Sequence, residues 1–99
     1  MKPLTRDEVL TELRLMKNDF TQKYGVIRIG VFGSCARNEA NESSDVDIVV
    51  ELRDPDLFHL VHIKDTLTRR LGRPVDLVTL RASMNSYLKA KIHDEAVYA

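Results

Sequence analysis

The chain is 99 residues long with a mass of 11.3 kDa, room for one domain with a modest core and no second lobe to close over a substrate. Apolar residues at 43% exclude a disordered chain, and 15 basic against 15 acidic side chains leave no basic excess, so no stable nucleic-acid binding is expected. A single cysteine, Cys35, allows no internal disulfide and fits a reducing, cytoplasmic setting; with no apolar leader and no apolar run of about 18 residues, neither secretion nor a membrane-spanning form is expected.

Thr5 and Glu8 have the T-x-x-E spacing of a capping box, and Val9, Leu10, Leu13, Met16 and Phe20 after it fall on one helical stripe. Gly25 is a stop signal, and Val26–Phe32 reads as a strand. Gly33-Ser34 turns that strand into a short helical segment near Ala36–Glu39, with a polar loop at Asn41–Ser44. Asp45–Leu52 alternates: Val46, Ile48, Val50 and Leu52 point one way, Asp45, Asp47, Val49 and Glu51 the other. Asp54 as cap and Pro55 at the first helical position predict a helix carrying Leu57, Leu60, Val61, Lys64, Leu67 and Leu71, which Gly72 ends. Pro74–Leu80 is a third strand, and Met84, Tyr87, Leu88, Lys91 and Ile92 mark a last helix. The tail, Ala96–Ala99, is compatible with extended chain. The α-β-α-β-α-β-α order predicts one α/β domain over residues 1–99, a small sheet of about three strands with helices packed on it.

Three features carry chemistry. Gly33-Ser34 stands at a strand-to-helix turn, where free N–H groups and a hydroxyl suit an anion. It is no P-loop, because G-x-x-x-x-G-K-[ST] is absent. Asp45 and Asp47, two apart on a strand, share a face about 6.5–7 Å apart, a spacing at which two carboxylates can hold a pair of divalent cations. Hard oxygen donors suit Mg²⁺; unpaired, such charges repel by about 4 kcal/mol at 4 Å and an effective dielectric of 20. Asp76 interrupts the strand Val75-Asp76-Leu77-Val78, and beside the Asp45–Leu52 strand it would face the same cations. Each feature alone has an ordinary structural explanation, a solvated acidic face above all.

Together, Val31-Phe32-Gly33-Ser34-Cys35-Ala36-Arg37, then Ser44-Asp45-Val46-Asp47-Ile48, then Asp76, resemble the minimal nucleotidyltransferases of the polymerase-beta-type superfamily. The resemblance covers essentially the whole chain and implies a mixed-sheet nucleotidyltransferase fold. It implies transfer of a nucleoside monophosphate, usually AMP from ATP, to a hydroxyl. Gly33, Ser34 and Arg37 would hold or brace around the triphosphate. Asp45, Asp47 and Asp76 would bind two Mg²⁺ ions, Asp76 also helping to deprotonate the acceptor. Members of this branch commonly act as antitoxins that adenylylate a HEPN-domain toxin partner. Cys35 departs from the larger residue common at its position, and Asn38 from a frequent glycine.

Two other functions share parts of this pattern. A binding module that neutralises its partner sterically has no need of Ser34, Asp45, Asp47 and Asp76. An antibiotic-resistance nucleotidyltransferase carries a further helical domain. Elsewhere the ordinary explanations prevail: Cys35 has no base arranged beside it, and His59, His62 and His93 read as surface histidines rather than a zinc site. Arg69, Arg70 and Arg73 complement a helix end, and Tyr87 and Tyr98 suit packing or an interface. Self-association is compatible with this composition.

Overall fold

The computed structural model describes residues 4–41, 44–54, 56–81 and 83–99. Helix α1 (Arg6–Tyr24) starts on the capping box: Glu8 N–H donates to Thr5 Oγ1 and Thr5 N–H to Glu8 Oε1, both at 3.2 Å. Its buried residues are the predicted stripe, Val9 to Phe20. Strand β1 (Val26–Phe32), helix α2 (Gly33–Ala36), strand β2 (Val46–Leu52), helix α3 (Leu57–Leu71), strand β3 (Val75–Thr79), helix α4 (Ser86–Glu95) and strand β4 (Val97–Tyr98) follow.

The sheet has the order β3-β2-β1-β4; β1 pairs antiparallel with β2 and β4, and β2 pairs parallel with β3 through the α3 crossover. It therefore has four strands rather than about three. The tail supplies the additional edge because Gly30 has no side chain. A Cβ there would lie 2.6 Å from Val97 O and 2.9 Å from the Tyr98 ring.

Both sheet faces are covered. Helices α1 and α3 pack Leu13, Phe20, Ile63 and Leu67 against Ile29, Val31, Ile48 and Val50. Helix α4 packs Ile92, with Leu88 beside it, against Phe32 and Val49. Burial from two sides is why β2 carries the run Ile48-Val49-Val50.

Two expected boundaries move, and two helices bury a face other than the expected one. Helix α2 begins at Gly33 itself, not near Ala36. The cap of α3 is Asp56, whose side chain accepts from Phe58 N–H at 2.8 Å; Asp54 lies in the preceding bend, and Pro55 is outside the described residues. The buried face of α3 is Leu60, Ile63, Leu67 and Leu71, at i, i+3, i+7 and i+11, whereas Leu57 and Val61 are exposed. On α4, capped by Asn85, Tyr87 is 79% exposed and Ile92 is the buried residue.

Candidate active site

The carboxyl end of β1 and the amino ends of β2 and β3 lie side by side. Register pairs Phe32 with Asp47 and Asp47 with Asp76, so the last two carboxylates occupy adjacent strands at the same level and on the same face. Asp45 stands just ahead of β2 rather than on it, exposed, one residue before the bond from Val46 N–H to Pro74 O at 2.9 Å. The pair first singled out is thus one strand residue and one loop residue, and the in-register partner of Asp47 is Asp76.

Gly33 meets this pair from β1. Its φ of +72° is left-handed, and a Cβ there would collide with Asp47 Oδ2 and lie 3.1 Å from Asp47 Cγ. The carboxylate therefore rests against bare backbone, in a cradle that any side chain would fill. Ser34 follows, half-buried, as the second residue of α2.

Burial pushes the Asp47 carboxyl up from its ordinary value, and the charges of Asp76 and Asp45 push the same way, against Lys91 and Arg37. A folded pKa above the unfolded one means that Asp47 stabilises the fold when protonated. This contribution is full below the unfolded value of about 3.9 and is lost as pH rises through the folded pKa. In metal-free buffer Asp47→Asn is accordingly expected to match the wild type in strong acid. At neutral pH it should melt higher, by on the order of a few degrees. Thermal denaturation across pH reads this directly, and a variant that melts lower at pH 7 contradicts it.

The charge of Arg37 reaches Asp47 and favours its ionised form. Arg37 ion-pairs with Glu95 at the end of α4 and with Glu39 at 3.3 Å, and the Glu39 hydrogen bond is the main reason its guanidinium is held more firmly protonated. These pairs tie the end of α2 to the end of α4. Asn38, next along, has φ +57°, which asparagine tolerates where most residues do not, and its Oδ1 accepts from Arg6 N–H at 2.8 Å. Asn38 thus holds a left-handed turn that glycine would also allow. Cys35 lies in α2 rather than in a loop and is buried in the core, its thiol pushed up by desolvation first and by Asp47 next. A protonated, enclosed thiol is no nucleophile.

His59 and His62 flank Tyr24, with ring centroids 5.3 and 6.1 Å away, and His93 stands apart on α4. Arg69 pairs with Asp65 and Arg70 with Glu12, while buried Arg73 donates to Asn41 O at 3.4 Å. Tyr98 packs under Arg28 on the same face as α4. Sequence reasoning missed Lys91 as the cation nearest in effect to Asp47. Its signal was a lysine next to the apolar positions Leu88 and Ile92.

Among the described residues no group of three His, Cys, Asp or Glu side chains is placed to hold a metal ion, Asp45, Asp47 and Asp76 included. The donors nonetheless fit a hard divalent cation: all are carboxylate oxygens, two stand in register, and their mutual repulsion is what a cation would relieve.

A nucleotidyltransferase domain model matches residues 13–99, and the chain belongs to that family, in its minimal branch. The protein adenylyltransferase MntA of Thermococcus cleftensis is 38% identical over 99 residues, 99% of each chain. A Methanocaldococcus jannaschii protein, provisionally named a protein adenylyltransferase, is 41% identical over 95% of this chain and 97% of its own length. A solved protein provisionally described as a minimal nucleotidyltransferase superposes with a TM-score of 0.70 at 32% identity, covering 89% of this chain and 93% of that one. A chain from a toxin–antitoxin crystal structure containing MntA gives 0.68 at 25% identity, covering 96% and 71%. Among the described residues no helix is long and apolar enough to cross a membrane.

Proposed function

We propose that this nucleotidyltransferase adenylylates a hydroxyl on a HEPN-domain toxin, acting as its antitoxin in the cytoplasm with ATP as donor and Mg²⁺ as cofactor. The observation that carries the proposal is the cradle of Gly33 backbone beneath Asp47, with Asp76 alongside in register. It is supported by the name of the Thermococcus relative and by the toxin–antitoxin neighbour. Asp45, Asp47 and Asp76 would hold two Mg²⁺ ions, which when bound neutralise charge on the phosphates and lower the pKa of the acceptor hydroxyl. Gly33 and Ser34 bind the triphosphate through backbone N–H groups and the Ser34 hydroxyl. The acceptor oxygen forms a bond to the α-phosphorus, the bond to the bridging oxygen breaks, and pyrophosphate leaves. Asp76, exposed at the rim, takes the acceptor proton.

Incubation with ATP labelled on the α-phosphate, Mg²⁺ and a co-expressed HEPN protein should label that protein. If the toxin is neutralised without label, the protein is a steric antitoxin instead. Ser34→Ala is expected to weaken Mg²⁺–ATP binding several-fold with an unchanged melting temperature, since one donor is lost from a half-buried position. Calorimetric titration that gives equal affinities removes Ser34 from the triphosphate site. Mg²⁺ should raise the melting temperature of the wild type more than that of Asp47→Asn, by linkage. Equal shifts would place the ion elsewhere.

A further inference from the structure

Helix α4 divides the sheet face that carries Asp47. Residues two apart on a helix point about 200° away from one another. Lys91 acts on Asp47, whereas Lys89 and His93, two residues to either side of it, line a cleft of about 320 Å³. Arg28, Glu51 and Arg81 line the same cleft from the sheet and from the chain after β3. Glu51 lies about 13 Å along the strand from Asp47, so the cleft and the carboxylates are separate places on one face.

Charge sets the cleft apart. The whole chain has a formal net charge of zero, yet Arg28, Arg81 and Lys89 meet here against Glu51 alone. That carboxylate is already engaged: Arg28 Nε donates to Glu51 Oε1 at 2.7 Å while its guanidinium lies 4.9 Å from the centre of the Tyr98 ring. Among the described residues no carboxylate pairs with Arg81 or Lys89. The apolar part of the lining that solvent reaches is Leu80 and Tyr98, since Ile92 is only 1% exposed. Two uncompensated cations beside an apolar lining complement a compact dianion attached to a less polar body, and the volume suits a small metabolite. We infer that this cleft is a second ligand site, for a small phosphomonoester whose phosphate is held by Arg81 and Lys89 and whose body covers Leu80 and Tyr98.

The test uses metal-free full-length protein in EDTA, titrated with AMP, ribose 5-phosphate, inorganic phosphate and adenosine, followed by amide chemical shifts and calorimetry. The phosphomonoesters should shift the amides of Arg81, Lys89 and His93, and adenosine should not. The double variant Arg81→Ala/Lys89→Ala should lose at least tenfold in affinity for them, while Asp47→Asn binds as the wild type does. Both altered side chains are exposed, so the double variant should keep the wild-type circular dichroism. Shifts that gather at Gly33–Ala36 instead, or a double variant that binds AMP as tightly as the wild type, overturn the inference. Inorganic phosphate binding as tightly as ribose 5-phosphate would mean that the body makes no contact with Leu80 and Tyr98, and overturns the inference of a phosphomonoester site. Binding to a single-stranded RNA oligonucleotide but to neither phosphomonoester would assign the cleft to a macromolecule and also overturn it. None of these outcomes bears on the transfer reaction, which is read by labelling.

Discussion

Gly33→Ala is expected to cost both stability and activity, although it adds one methyl group. Two separate causes act. At φ +72° an alanine is in the left-handed region, which costs an L-residue about 1–2 kcal/mol. Its Cβ would also occupy the space of Asp47 Oδ2, so the carboxylate must swing out of its cradle or the strand must shift. Melting should fall by roughly 5–15 °C, and transfer by about 10²-fold, the usual result of displacing a reacting geometry by an ångström. A double-mutant cycle separates the causes. In an Asp47→Ala background the collision is gone, so Gly33→Ala should cost only its backbone strain and the two changes should be less than additive. Strict additivity in melting free energy would mean that Gly33 and Asp47 do not touch.

Periodicity found what a single physical pattern dictates. The first stripe of α1 was legible in full, because five apolar residues follow a capping box and nothing competes with them. Strands β1, β2 and β3 are legible because each is a short apolar run bounded by turn residues. The stripe of α3 is not, since Leu57, Phe58, Leu60, Val61, Ile63 and Leu67 cover more than one face, and only docking on α1 and the sheet selects Leu60, Ile63 and Leu67. The edge strand at Val97 is not legible locally because its cause lies 67 residues earlier, in the missing side chain of Gly30.

The site shows the same division. Two apart on a strand is a local relation, so it suggested Asp45 and Asp47 as the pair. The structure makes Asp76 the neighbour of Asp47, which is a matter of parallel register between distant segments. Arg37 has a local signal as well, its place after a phosphate-type turn; its engagement by Glu95, 58 residues on, depends on where α4 ends. Belonging to the minimal nucleotidyltransferases joined these pieces where spacing alone left each with an ordinary explanation.

Asp76→Asn is expected to separate transfer from binding. Asparagine keeps the shape of the side chain and removes its charge and its basicity. Asp76 is exposed, so the fold should tolerate the change, and relief of its repulsion with Asp47 should lower the pKa of the latter towards its ordinary value. Asp45 and Asp47 remain to bring in Mg²⁺–ATP, and the dissociation constant should stay near that of the wild type. The acceptor proton, however, has lost the base that takes it in the transition state. Single-turnover labelling of a co-expressed HEPN partner should therefore slow by a factor on the order of 10²–10⁴, the usual worth of a positioned general base. The defect should shrink for an acceptor whose hydroxyl is more acidic, a dependence that a merely structural role would not produce. Labelling at the wild-type rate would leave Asp76 a tolerated strand carboxylate and Asp47 without a catalytic neighbour. Loss of binding and labelling together would mean that Asp76 holds the nucleotide complex itself, so that the work is not divided between β2 and β3 as their register suggests.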